Sequence, residues 1–375
     1  MAFVETTRTS YGKRLGNSLG GIFIGLLLFI GATILVWWNE GRAVKTTRML
    51  KEAQHQVVEL ADISQVDPAF EGKLVHAMGF ANTTDSLFDS QFNLGARAIA
   101  LHRTAEYYQW VESSTSETKD KVGGAQETTT TYTYDLQWVS DPVNSADFHD
   151  PQYRNANSVK QNVEDLSLYA KDVTFGAYKL NHNQITSISG EMPLQVNGAS
   201  NVIYIGEDPS KPDVGDVRIT FTKVLPAEIS IIATVSGSTF VPFTAKNGQN
   251  FSALRMGDVS QEEIFEEEHS FNTMLLWVLR ILGLILVFAG LRSMTSILET
   301  VLKVVPFVAN IVSWGVGVVC FVVALVWTLL VAALAWVAYR PVVAIVLVVL
   351  AGVTIWYFAT HKKKGTPDVP ATPAE

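Results

Sequence analysis

The chain has a single cysteine among 375 residues, and Cys320 stands inside an apolar run, so a disulfide-stapled secreted scaffold is excluded. Charge is also scarce: 17% of residues are charged, against about a quarter in an average soluble protein. No P-loop, dinucleotide fingerprint, G-x-S-x-G or H-E-x-x-H is present, which removes the cheap positive evidence for the commonest enzyme classes. What charge there is lies unevenly. Residues 41–270 hold 18 basic and 31 acidic side chains, a net of −13, while the remaining 145 residues hold 10 and 5, a net of +5. An acidic block of that size would repel phosphate, so nucleic acid is not an expected partner. A simple soluble enzyme does not fit this division either.

Long uncharged runs account for the rest of the composition. Residues 19–38 carry no charge, and about 20 residues rising 1.5 Å each match the roughly 30 Å hydrocarbon core. The run exceeds a signal-peptide core, lacks a small-residue cleavage site and ends on Trp37 and Trp38, so it reads as an uncleaved signal anchor. A second span is expected over 271–291, interrupted by Arg280 and marked near its start by Trp277. From Val304 to Tyr339 no charge occurs, about 54 Å as a helix and too long for one simple crossing. Trp314 and Trp336, about 33 Å apart on a helix, divide it into an interfacial amphipathic segment over 297–313 and a span over 314–339. Arg340-Pro341 breaks the helix, and a last span over 342–360 closes on Trp356 and three lysines, followed by a tail over 361–375.

Four spans put both termini on one side. Arg8, Lys13, Arg14, Arg292, Lys303, Lys362, Lys363 and Lys364 flank the spans there, against Arg42, Lys45, Arg48, Lys51 and Arg340 opposite. The positive-inside rule then predicts a cytoplasmic segment 1–18, a cytoplasmic tail and an exported or lumenal block 41–270. That block begins with a helical stalk over 41–60. Beyond it, short β-like runs are bounded by turn residues: Lys73–Met78, Tyr107–Val111, Thr129–Tyr134, Arg218–Thr222 and Ile229–Val235. Residues 113–128, with Gly123-Gly124 near the middle, predict the tip of a long hairpin, and 155–169 has a helical look. The fold class expected is a multi-pass α-helical membrane protein with a large β-rich α+β extramembrane domain, with two packed subdomains dividing near residue 150.

Candidate sites are few. Asp147, His149 and Asp150 offer oxygen and nitrogen ligands but no matching second group, so a surface turn is expected instead of a metal site. His76 and His102 read as hydrogen-bonded core or surface histidines. Five glutamates between Glu262 and Glu268 read as a solvated helix face leading into the membrane. Arg280 stands out, because a guanidinium within a span costs several kcal/mol unless it snorkels or pairs. Either it reaches the interface past Trp277, or it pairs with Glu40 at the end of the first span. With Arg42 and Lys45, Arg280 also forms a candidate contact set for an anionic lipid head group.

Five segments then carry a resemblance: W-N-E-G-R-A-V at 38–44, E-G-K-L-V-H at 71–76, Y-Q-W-V-E at 108–112, G-D-V-R at 215–218 and W-V-L-R-I-L-G at 277–283. In this order they resemble the LUMA, or transmembrane protein 43, family over nearly the whole chain. The resemblance implies one N-terminal span, a large lumenal or exported domain and a cluster of C-terminal spans. It also implies residence in the endoplasmic reticulum and inner nuclear membrane for animal members, regarded as self-associating organisers of membrane complexes that contact emerin and lamins. It supplies no catalytic residues. A membrane scaffold is therefore the leading expectation, with the bilayer, further copies of the chain and other membrane proteins as partners and no cofactor called for. A membrane-interface enzyme or lipid-handling protein comes second, and an oligomeric transporter or channel third. The expected location is an inner membrane in a bacterium, or the endoplasmic reticulum or inner nuclear membrane in a eukaryote.

Overall fold

The computed structural model describes residues 2–196, 198, 200–302 and 306–340, with isolated positions between 345 and 356. Three helices among these are long and apolar enough to cross a membrane. The first, α1 (Tyr11–Gln56), is capped by Ser10, whose hydroxyl accepts from Lys13 N. Its 46 residues extend about 69 Å, so the expected stalk is the continuation of the membrane helix and not a separate element. The second, α2 (Gln261–Leu302), starts at Ser260 with Glu262 and Glu263 in its first turn, where the helix dipole favours acid. The third, α3 (Pro306–Tyr339), opens on a proline and ends one residue before Arg340-Pro341. The interfacial segment expected over 297–313 is thus not an independent element. Residues 297–302 keep the register of α2, and 306–313 are the first turns of α3. The expected span 342–360 lies outside the described residues apart from isolated positions.

Small residues let the bundle close tightly. A β-carbon at Gly25 would stand 2.6 Å from Gly290 O, and one at Gly283 would stand 2.4 Å from Val36 Cγ2. Hydroxyls complete the α1–α2 seam: Ser293 Oγ donates to Gly21 O at 2.6 Å and Ser18 shares a 2.7 Å bond with Thr300. Without a hydrophobic driving force between helices in lipid, close backbone approach and such bonds are what hold a bundle together. The third helix joins through Trp327 Nε1, which donates to Thr33 Oγ1 at 3.0 Å, and through Ala324 against Ala32 and Val287.

The β-rich part holds two seven-stranded sheets. In the first, β1 (Phe3–Thr9), β4 (Gln126–Val139), β3 (Ala100–Asp120) and β5 (Val217–Val224) are neighbours in that order. In the second, β2 (Leu74–Thr83) pairs with β6 (Ala227–Ser236) over eight residues, from Ala81 opposite Ala227 to Leu74 opposite Thr234. Each sheet draws strands from both sides of residue 150, so the expected division into two subdomains there does not occur. The physical reason is strand pairing across that point: β3 pairs with β5 and β2 with β6, each over eight residues, and Ile99, Ala100 and Val224 join the core of the second sheet. Nor is 155–169 helical. Asn157 spends its side chain on Trp110 N and O and on Val143 O, and Asp165 accepts from Ala105 N, so local polar groups tie the segment to β3 as an extended strip.

Helices and sheets meet in a third core. Met49, Leu50 and Ala53 of α1 and Ile264 and Phe265 of α2 pack with Leu74, Ile232, Phe243 and Phe251. Both membrane helices therefore run without a break into the interior of the domain.

The N-terminal segment departs most from expectation. Sequence reasoning places residues 1–18 across the bilayer from the domain, yet β1 pairs with β4 along its whole length, from Phe3 opposite Tyr132 to Thr9 opposite Gln126. Arg14 Nη1 then lies 2.8 Å from both Gly124 O and Asp120 Oδ1 at the hairpin tip. Residues 113–128 are accordingly arms as well as tip, since β3 continues to Asp120 and β4 begins at Gln126. Gly124, with φ +82°, makes the turn and lies so close to the Tyr11 ring that a β-carbon would stand 2.5 Å away. From Ser113 to Asp120 the arm extends about 26 Å, nearly the hydrocarbon thickness. With α1 in a bilayer, this ladder holds only where a Ser/Thr/Glu/Lys arm is screened from lipid, because its polar groups have no partners in hydrocarbon.

Candidate functional site

The polar residues that interrupt the membrane helices gather where the bundle enters the domain. Asn39 and Glu40 end the apolar stretch of α1 and are 0% and 1% exposed. Glu40 Oε1 accepts from Arg280 Nε at 2.6 Å, and Asn39 Nδ2 donates to Leu276 O at 3.0 Å. Asn39 Oδ1 in turn receives Nε and Nη2 of Arg42, whose Nη1 donates to Asn272 Oδ1. Asn272 completes the set, its Nδ2 donating to Ala43 O and Thr47 Oγ1, both at 3.1 Å. Six side chains thus bond across the α1–α2 seam in two sets, the Glu40–Arg280 pair and the Asn39–Arg42–Asn272–Thr47 chain. A buried network of this kind holds a pair of helices in a single register, since a half-satisfied one costs more than an apolar core.

Gly41 lies at the same level and lets α3 approach, since a β-carbon there would stand 2.4 Å from the Tyr339 ring. Arg48 Nη2 donates to Tyr339 O at 2.6 Å and fixes the end of α3 to the stalk. The knot therefore uses every residue of the Asn39-Glu40-Gly41-Arg42 run. Sequence reasoning isolates Glu40, Arg42 and Arg280 by their charge. It misses Asn39 and Asn272, whose signal was an uncharged polar residue at each end of an apolar run.

Of the three candidate head-group contacts, Arg42 is committed to the two asparagines, and Lys45 is exposed beside the loop whose Asn247 bonds its carbonyl. Arg280 is different. Its guanidinium sits 4.8 Å from the Trp277 ring, and among the described residues neither Nη carries a hydrogen bond. Arg280 itself lines a groove of about 540 Å³ between α2 and α3, with Trp277, Ile281, Thr328, Ala333 and Trp336 among the other lining residues. The expected interfacial anchors fall at two levels. Trp37, its ring 6.2 Å from Tyr339, lies with Trp38, Trp277 and Trp336 near the knot, and Trp336 stacks under Arg340. Trp314 stands at the other end of α3 beside Arg292, and Trp356 is exposed.

Elsewhere the charged candidates are structural. Asp147, His149 and Asp150 do not converge. His149 Nδ1 meets Glu112 Oε1 at 2.9 Å, and Asp150 N bonds Tyr134 Oη. Burial raises the Glu112 carboxyl, but hydrogen bonds from Tyr134 and His149 outweigh it and hold the group below its ordinary range. His76, 2% exposed, lies between Glu59 Oε2 and Val259 O, and His102 meets Ser167. Of the five-glutamate cluster, Glu267 and Glu268 both pair with Arg255, which pins the base of α2 to the domain. Asp216, 1% exposed, lies just before β5. It binds Lys160 and the Tyr204 hydroxyl, which outweigh its burial and hold it below the ordinary range. Among the described residues no cluster of three or more His, Cys, Asp or Glu could hold a metal ion.

The motif residues of the five segments are thus spread over the knot, the seam and the sheets. Arg218 pairs bidentately with Glu106 over Trp138, and Gly215 turns at φ +94° beside Ser158. No solved structure matches the chain. The family model described as transmembrane protein 43 matches residues 107–341. Transmembrane protein 43 of rat is 34% identical over 92% of this chain and 90% of its own length. The human protein is 33% identical over 93% and 92%, and a homolog from Drosophila melanogaster 28% identical over 89% and 93%. With a match to both halves of the β-rich part and to the membrane helices, the chain is an integral membrane protein that belongs to the transmembrane protein 43 family.

Proposed function

We propose that the protein is a scaffold that organises membrane protein complexes and assembles with copies of itself. The observation that carries this reading is the polar hairpin arm beside an apolar bundle. Ser113–Asp120 and Gln126–Thr133 offer hydroxyls and charges on a ladder whose tip meets Arg14, at the far end of the membrane helix α1 from the domain core. Such an arm has to be covered by protein or water, whereas the outer faces of the bundle, with Phe23, Ile24, Leu27 and Ile34 exposed, suit lipid. Copies arranged with arms inward and bundles outward satisfy both demands, and the domains then cluster above the shared axis as a platform for other membrane proteins. The charge bias around the spans favours cytoplasmic termini and an exported domain in this arrangement.

The test is the size of the particle in lipid. Full-length protein in nanodiscs is expected to contain several copies, and Ser116→Cys in a Cys320→Ala background is expected to cross-link between copies under mild oxidation. A particle that stays monomeric, with Ser116→Cys open to water-soluble maleimide from one face only, would refute the reading.

A further inference from the structure

The groove between α2 and α3 is apolar along its walls, but two polar features break its lining. Arg280 stands at the mouth with two Nη groups that bond no described residue, while its Nε is committed to Glu40. Deeper, the Thr328 hydroxyl is buried, with the residue 6% exposed, and has no hydrogen-bond partner. A threonine in a membrane helix ordinarily satisfies its hydroxyl, as Thr33, Thr295 and Thr300 do here by donating to carbonyls three or four residues back. Leaving such a group unmade costs about 1–3 kcal/mol, so an unpartnered hydroxyl on a residue of the groove wall points to an acceptor that comes from outside the chain.

The two features lie at different depths. Trp336, beside the mouth, and Thr328 stand eight residues apart on α3, about 12 Å along the axis. Trp277 and Trp336 flank the opening, where indoles mark the boundary between head groups and acyl chains. A ligand that fits therefore carries negative charge at the interface, a hydrogen-bond acceptor up to about two helical turns below it, and an apolar tail beyond.

We propose that this groove is a binding site for one anionic phospholipid. Its phosphate takes the free Nη donors of Arg280, an ester carbonyl accepts from Thr328, and an acyl chain lies along Ile281, Leu284 and Leu325. The Glu40 contact fixes the guanidinium plane so that the remaining donors face the groove, and the Trp277 ring holds it from the other side. Recognition by arginine suits phosphate because its planar fork presents two donors to one anion. The proposal does not rest on the scaffold reading, since a monomer would bind lipid in the same way.

Native mass spectrometry of the full-length protein, exchanged against phosphatidylglycerol or phosphatidylcholine in mixed micelles, reads the site directly. Wild-type protein is expected to retain one phosphatidylglycerol in preference to phosphatidylcholine. Thr328→Val, which leaves the ion pair untouched, is expected to weaken retention of both lipids by about threefold to tenfold, the value of one hydrogen bond. Arg280→Met is expected to abolish the preference between head groups while chain binding persists. Ala333→Phe, a substitution at an exposed position on the groove wall, is expected to block both lipids. Equal retention by wild type and Ala333→Phe, or no head-group preference in wild type, overturns the proposal. So does a cross-link from Ala333→Cys to a cysteine placed within 342–360 that forms fully in lipid, since the groove would then be filled by the chain itself.

Discussion

The Arg280–Glu40 pair should behave asymmetrically when its partners are removed. Glu40 is the buried member, its side chain 2% exposed, while Arg280 is 25% exposed with two nitrogens at the edge of a groove. Arg280→Leu strands a carboxylate among packed helices with no other cation bonded to it. Breaking a buried pair in this way costs about 3–5 kcal/mol, and the partial exposure of Arg280 places the expectation at the lower end. Glu40→Leu leaves instead a guanidinium that can swing to the interface beside Trp277, so about 1–2 kcal/mol is expected. The double leucine variant removes both charges and should return to within about 1–2 kcal/mol of wild type, because apolar residues of similar volume replace buried ion pairs at little cost. For a chain of 375 residues the larger loss corresponds to a fall of about 4 °C in midpoint. Thermal unfolding in nanodiscs, followed by the fraction remaining monodisperse, gives all four corners of the cycle. Additive single effects, with no recovery in the double variant, would mean that Arg280 merely snorkels and that the knot does not depend on the pair.

Other expectations follow from the same geometry. Thr7→Cys with Thr128→Cys, residues opposite each other in the β1–β4 ladder, should form a disulfide within one chain in membranes, and failure to do so would place the N-terminal strand away from the hairpin. Gly25→Leu should separate α1 from α2 and cost about 1–3 kcal/mol by overpacking, read as loss of folded protein in nanodiscs, while the same change at Gly16, where nothing lies within 4 Å, should be nearly silent. Asp216 has its folded pKa depressed, so its contribution is fully present above the unfolded value near 3.8 and is lost as pH falls through the lower folded value. Asp216→Asn should therefore be less stable than wild type at pH 7, and the gap should close as pH falls below about 4, so the variant shows the flatter stability profile in acid.

Where the sequence spoke clearly, one physical signal dominated. An uncharged run of membrane length has few other uses, and Arg280 inside such a run draws attention because its cost is large. The β-branched stretch Ile229–Val235 lies in the central strand β6, and the Thr/Tyr alternation of 129–134 lies in β4. The misses share a cause as well. The strand Phe3–Thr9 is short and polar, and its partner lies over a hundred residues away, so nothing local marks it. The strip 155–169 owes its shape to Asn157 and Asp165 reaching across to β3, which no periodicity records. The interleaving of the two sheets depends on crossovers, and the amphipathic look of 297–302 is equally that of a helix continuing along its neighbour. In the knot, charge made three residues legible, while the two asparagines that connect them were silent.

The unbroken passage of α1 and α2 from bilayer into domain core has a mechanical meaning. Met49, Leu50, Phe265 and their neighbours leave no hinge between the two, so the pair acts as a stiff mast with the sheets mounted at its head. From Glu40 to the end of α1 the helix extends about 24 Å, so a lean of about 10° to match a thinner membrane swings that end by about 4 Å. Bilayer thickness would thus be converted into displacement of the domain, and the Glu40–Arg280 knot stands at the fulcrum.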